Sequence, residues 1–318
     1  MALYLIKRLA AFLITLLASA IVVFLVLEVL PGDPASIMLG VNARADTLAA
    51  LRAELGLDQP AWLRFIRWLG GLVSGDLGNS YTYGVPVAEL IAGRATVSVP
   101  LALGGMLVSA LIAIPLGVIA AAQRNRAADL GISVFAQLAI AVPNFWFAIL
   151  LILLFSVMLG WLPAGGFAGW EAGIGPALGS LLMPVVALAL PQAAILTRVT
   201  RSAVLDVLGE DYLLTARAKG LSRAAALWRH GLVNALIPVV TIMGLQFSFL
   251  LAGTVIIENV FYLPGLGRLL FQAIAQRDLI VVRDVVVLLA GAVVLVNFLV
   301  DLLYGVIDPR LRREAAYV

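Results

Sequence analysis

The sequence contains no cysteine and a single histidine, His230, among its 318 residues. A disulfide framework is therefore excluded. So is a structural zinc cluster, which draws its four ligands from Cys and His. Lysine is almost absent: Lys7 is followed by Arg8 and Lys219 by Gly220, and neither fits the G-x-x-x-x-G-K-[ST] phosphate loop. The chain has no such nucleotide site of its own. The carboxylates are scattered, so neither a metal site nor a catalytic residue is predicted. Charge is scarce too, at 12% of residues, against roughly 25% in a soluble domain. What is abundant is apolar. With 63% hydrophobic residues and a mean hydropathy of +1.09, the chain lacks the polar surface to cover a soluble core, and an integral membrane protein is predicted.

An apolar helix of about 20 residues spans the roughly 30 Å hydrocarbon core. The runs that qualify are Leu9–Leu30, Val97–Ala122, Leu130–Leu159, Ala177–Leu196, Val233–Ile257 and Val285–Ile307. The predicted fold is all-α with six transmembrane helices. The first run is too long for a signal peptide and lacks a cleavage site after it. Pro100, Pro115 and Pro143 fall inside the second and third runs and predict kinks. With the N-terminus inside, the inner segments hold 13 of the 21 basic residues, Arg310, Arg312 and Arg313 of the tail among them. Basic residues concentrate in cytoplasmic loops, so both termini are predicted to be cytoplasmic. The net charge of +3 is accounted for in that way and does not call for nucleic acid.

The long loop Pro31–Ala95 lies outside in this orientation. Leu48, Leu51 and Leu55 have helical spacing, with Asp46 to cap the start and Gly56 to end it. Over Ala61–Val73, Trp62, Phe65, Trp68 and Leu69 read as one apolar side. Two readings stand: an amphipathic helix lying in the membrane interface, or a small packed external subdomain. Ser74–Asn79 reads as turns. Residues 1–96 form an N-terminal helix with its loop, and residues 97–318 a five-helix core. No internal repeat is visible. Six unrepeated spans suit one half of a symmetric pore completed by a second chain.

The inner loop 197–232 carries 6 of the 21 basic residues. Glu210-Asp211-Tyr212-Leu213-Leu214-Thr215-Ala216-Arg217-Ala218-Lys219 runs from an acidic start to a basic end, which suits a helix dipole. Gly220 is a C-terminal stop, and Ser222 caps a second helix from Arg223 to about Leu232. Ala216, Ala218 and Gly220 are small enough for a partner to approach closely. A helix–Gly–helix unit here reads as a docking knob; the plainer reading is a solvated loop that only sets topology.

The order of residues at Asp211–Gly220, D-Y-x-x-T-A-R-A-K-G, resembles the cytoplasmic "EAA" loop of ABC-importer permeases, in the form of the dipeptide/oligopeptide/nickel branch. Leu30-Pro31-Gly32-Asp33-Pro34, Leu55-Gly56-Leu57-Asp58-Gln59-Pro60, Gly75-Asp76-Leu77-Gly78 and Leu263-Pro264-Gly265-Leu266-Gly267 resemble the same branch, so the likeness covers nearly the whole chain. The first two are similar to the B-type subunit, and among its members the sequence resembles the glutathione and dipeptide permeases. One departure is visible: other branches close the loop with I-x-L-P, where this chain has Val233 and reaches proline only at Pro238.

The resemblance implies a type I importer permease core (MetI-like) in the bacterial inner membrane. It implies a paralogous second permease, one or two ATPase subunits that bind ATP and Mg, and an extracytoplasmic solute-binding protein. The chain itself would hold no cofactor. The docking set for the ATPase would be Asp211, Ala216, Arg217, Ala218, Lys219 and Gly220, and the cargo would be a peptide. Asn144, Gln246, Ser248 and Asn297 lie nearest the span centres and are the candidate pathway residues. Glu28 and Asp301, near span ends, are expected to be structural, and His230 to sit at a helix end. A stand-alone ion-coupled carrier is the alternative. It would require repeats and mid-membrane acids, as a channel would require a polar ring and an intramembrane enzyme a cluster of reactive side chains.

Overall fold

The computed structural model describes residues 2–29, 34–39, 44–54 and 56–307. Leu30 to Asp33 of the first motif, Leu55 of the second, and the tail with Arg310, Arg312 and Arg313 lie outside the described residues. Regular structure among the described residues is helical, and one antiparallel bridge, Asn79–Pro86, pairs extended chain. The helices are α1 (Ala2–Val29), α2 (Pro34–Leu39), α3 (Ala45–Glu54), α4 (Ala61–Ser74), α5 (Val87–Ala122), α6 (Ala127–Ala141) and α7 (Asn144–Leu151). After them come α8 (Ile174–Leu208), α9 (Asp211–Ala218), α10 (Arg223–Ala226), α11 (Leu232–Val260), α12 (Leu266–Ala275) and α13 (Leu279–Ile307). A π-helical turn over Leu227–Gly231 joins α10 to α11, and another over Ile152–Met158 extends α7.

Five helices are long and apolar enough to cross a membrane: α1, α5, α8, α10 with α11, and α13. The run Leu130–Leu159, read from sequence as one span, is instead a pair, α6 and α7, bent by 100°. Proline is the cause. It has no amide hydrogen and disfavours helical geometry in the residue before it. Val142 accordingly turns extended (φ −83°, ψ 123°), and Pro143 starts a new helix in a new direction. Pro100 and Pro115 do not break α5. The helices also outrun the apolar stretches. At 1.5 Å per residue, α5 (36 residues) and α8 (35 residues) are each more than about 50 Å long and overshoot the bilayer core.

The α5–α8 contact is the most extensive in the bundle. Gly105, Ser109, Ala113 and Gly117, four residues apart on α5, are all buried. A Cβ on Gly117 would sit 2.5 Å from the Thr200 Cβ, and one on Gly105 3.4 Å from the Leu188 Cβ. The offset between those pairs is constant, so α5 and α8 run parallel. α11 packs antiparallel to α8 through Leu250 and Leu188 around Gly105 and Gly253. α13 runs antiparallel to α11, with Gly244 on Val300. α1 lies antiparallel to α13 through Phe12–Phe298 and the Arg8–Asp301 ion pair at 2.8 Å. The start of α1 and the end of α13 thus share one end of the bundle with α9.

At the opposite end α4 is packed on the bundle. Phe65, Trp68, Leu69 and Leu72 cover Ala20 and Phe24 of α1 and Val287 of α13. The Trp68 indole donates to Asp284 Oδ1 at 2.6 Å, and the Arg283 guanidinium lies 4.6 Å from the indole centroid. Glu28 pairs with Arg64 of α4. Trp62 does not share this face. Six residues from Trp68, it is rotated by about 240° and stands exposed. Asp46 likewise falls inside the first turn of α3, where it accepts from the Thr47 amide at 3.0 Å, and not at the cap. Trp68→Ala is expected to destabilise the solubilised protein by about 3–5 kcal/mol, and Trp62→Ala by no more than about 0.5 kcal/mol. Thermal unfolding of the two variants in detergent checks this pair.

Candidate functional site

The knob at the α9 end is built from a short chain stretch with two anchors. α8 stops at Leu208; Gly209 and an extended Glu210 turn the chain into α9. Leu213, 2% exposed, is the first anchor. Its side chain packs beside Val207 and Leu227 over Gly231, where a Cβ would stand 3.2 Å from Leu213 Cδ1. The Tyr212 hydroxyl is the second, accepting from Asn234 Nδ2 at 3.0 Å and so tying α9 to α11. The rest of α9 faces outward. Asp211, Arg217, Ala218, Lys219 and Gly220 are exposed and Ala216 is half-buried. Gly220 ends the turn at φ +97°, a conformation that side-chain-bearing residues rarely adopt. Ser222 Oγ accepts from the Ala225 amide at 3.2 Å and caps α10. The helix begun at Arg223 does not stop near Leu232; it continues through His230 and Pro238 to Val260 as one candidate span.

The four pathway candidates do not form one group. Ser248 donates to Asn297 Oδ1 at 3.3 Å, which joins α11 to α13. Gln246 lies two residues from Ser248, about 200° around the helix. It is buried with neither amide atom hydrogen-bonded. Asn144 opens α7 directly after Pro143 and is half-buried. Glu28 and Asp301 each hold an arginine of a neighbouring helix, Arg64 and Arg8.

Sequence reasoning missed three fully buried acids at the α4 end: Glu258, Asp278 and Asp284. Glu258 accepts from Ser98 Oγ and from the amides of Gly267 (2.7 Å) and Arg268 (3.1 Å), so its carboxylate sits on the N-terminus of α12. This accounts for the glycines of Leu263–Gly267. A Cβ on Gly265 would lie 2.2 Å from the Glu258 carboxyl carbon, and one on Gly267 2.3 Å from the Val255 Cα. Asp278 caps α13 and accepts from Ser80 Oγ and the Thr82 amide (3.0 Å), which pins the turns after Gly75. Tyr81 is packed beside them; burial pushes its hydroxyl above the ordinary value, outweighing the nearby Arg283 guanidinium. The available signal covers Asp278 alone: an acid just before an apolar run is an N-cap.

These features define a multi-pass membrane protein with a helical knob at one end and a set of capped loops at the other. The chain belongs to the family described as "Binding-protein-dependent transport system inner membrane component", whose model matches residues 113–313. A companion model for the N-terminal part of such membrane components matches residues 1–102. A peptide transport system permease protein of Brucella abortus is 43% identical over 315 residues, covering 97% of this chain and 98% of the relative. A glutathione transport system permease protein, GsiC of Salmonella paratyphi A, is 42% identical over 310 residues, covering 97% and 98%. The chain is therefore a permease component of an ABC import system in the bacterial inner membrane. Leu213→Ala removes the main anchor of α9, and amide exchange over residues 211–218 is expected to speed up about tenfold or more. Exchange mass spectrometry checks this, with the core of α8 unchanged.

Proposed function

We propose that this chain is the B-type permease of an ATP-driven peptide importer and forms one half of its translocation pathway. The observation that carries the reading is α9: a short helix, fixed from beneath by Leu213 and Tyr212, that presents Asp211, Arg217, Ala218, Lys219 and Gly220 to solvent. Such a knob, with half-buried Ala216 at its edge, suits the groove of an ATPase subunit. Two permeases rock between inward- and outward-open states as paired ATPases close on ATP and Mg, and α9 passes the motion into α10 and α11. A peptide is the cargo, as the names of the relatives suggest, and a glutathione-like tripeptide is within that class. A solute-binding protein delivers it at the α4 end. In this reading α6 and α7 together make the third of six crossings, and both termini are cytoplasmic. Residues 1–96 flank a permease core of residues 97–318.

Gly220→Leu forces a bulky residue into a left-handed turn. Transport by the reconstituted complex is expected to fall about tenfold, the weight of roughly 1.4 kcal/mol, while the complex still assembles. Unaltered substrate-stimulated ATPase activity would remove the coupling role. Because the chain has no native cysteine, single thiols report topology directly. Gln123→Cys is expected to resist a membrane-impermeant maleimide in intact spheroplasts, and Glu171→Cys to react. The reverse pattern would invert the orientation.

A further inference from the structure

Between α6 and α8, toward the α9 end, lies an open groove of about 640 Å³. Its register is fixed by Asp129 of α6, which accepts two hydrogen bonds from Arg201 of α8, at 2.6 and 2.8 Å, and one from the Asn125 amide at 2.9 Å. With those residues opposed, the antiparallel helices give the groove a graded wall. Nearest the bundle end are Ser133 and Ser202, then Gln137 and Arg198, then Ile140 and Ile195. Arg201 is neutralised by Asp129. Arg198 is exposed and has no carboxylate at ion-pair distance among the described residues. Arg124 and Arg126 stand on the adjoining α5–α6 turn, so the mouth is basic.

The outer lip of the groove is apolar. Leu130, Val134 and Leu138 of α6, four residues apart, are exposed along it. A wall that runs from cationic and hydroxyl groups to isoleucine within about 10 Å, beside an exposed apolar stripe, matches an amphiphile lying head outward. It does not match a solute path, which would stay polar along its length. Basic pockets between membrane helices on the cytoplasmic side are suited to anionic head groups. We infer that this groove binds one anionic phospholipid of the inner leaflet, with its phosphodiester against Arg198 and Ser202. Ser133 stands beside the phosphodiester, the glycerol esters lie one turn deeper by Gln137, and the acyl chains run past Ile140 and Ile195 with exposed Leu138 alongside. The inference rests on the cytoplasmic placement of this end, which Gln123→Cys labelling tests separately.

The test uses the full chain released from vesicles of zwitterionic lipid with added phosphatidylglycerol, and native mass spectrometry to count retained lipid. Arg198→Gln is expected to cut phosphatidylglycerol retention about fivefold. Arg198→Lys and the control Arg229→Gln are expected to retain it. Equal retention by Arg198→Gln and the unaltered chain overturns the proposal. In a second arm, Ser133→Cys is expected to react more slowly with a thiol reagent in vesicles containing phosphatidylglycerol than in zwitterionic ones. Equal slowing by inorganic phosphate in zwitterionic vesicles would make the groove a free-anion site and overturn it. Slowing only on co-expression of the second permease would make it a protein interface, with the same consequence.

Discussion

The close approach of α5 and α8 is the constraint on which the rest of the structure depends. In a lipid solvent, apolar surface alone gives helices no reason to associate; close packing between small side chains does. Gly105, Ser109, Ala113 and Gly117 remove one wall of α5, and Thr200 and Leu188 of α8 move into the space. Both flanks of the pair are thereby set. α11 lies across it through Leu250, α6 attaches along α8 through Ala136, Ala139 and Ala194, and α13 and α1 follow from α11 outward.

Polar pins then fix this stack at its two ends. Backbone groups at helix termini have no intrahelical partner, and in a dry setting each must find one. Glu258 supplies that partner for α12 and Asp278 for α13, while Asp284 holds the indole of Trp68. At the other end Asp129 with Arg201, and Asp301 with Arg8, join helices that are far apart in sequence. Of these four groups Asp129 is buried, and removal of Arg201 would strand its charge. The few ionised groups of a poorly charged chain are thus placed where helices end.

The sequence was informative where a local rule decides the outcome. Composition and run length marked the spans. Dipole order, Gly220 and Ser222 marked α9 and the start of α10 almost to the residue, because caps and stops act over a few positions. It was misleading where a rule had to be weighed against context. Pro143 breaks its span and Pro100 and Pro115 do not, since the long α5 is held along its length by α8. Trp62 and Trp68 of α4 look alike in composition but lie on different faces, one exposed and one buried. Asp278 had only its place before α13 to mark it, and the distant partners of the three buried acids, Ser98, Ser80 and Trp68, lie more than a hundred residues away. Pairings of that range are set by tertiary packing, and no local spacing encodes them.

The unbroken helix from Arg223 to Val260 has a mechanical consequence. Its 38 residues make a rod about 57 Å long, joined to α9 in its first third by Asn234 and to α12 near its head by Glu258. A lever of that length converts angle into travel: a tilt of about 5° about the foot carries the head about 5 Å. The loops around Ser98 and Gly267 would ride with it, since they are hydrogen-bonded to Glu258 itself. A small rotation imposed at the α9 end would then arrive at the α4 end as a displacement comparable to the width of a side chain.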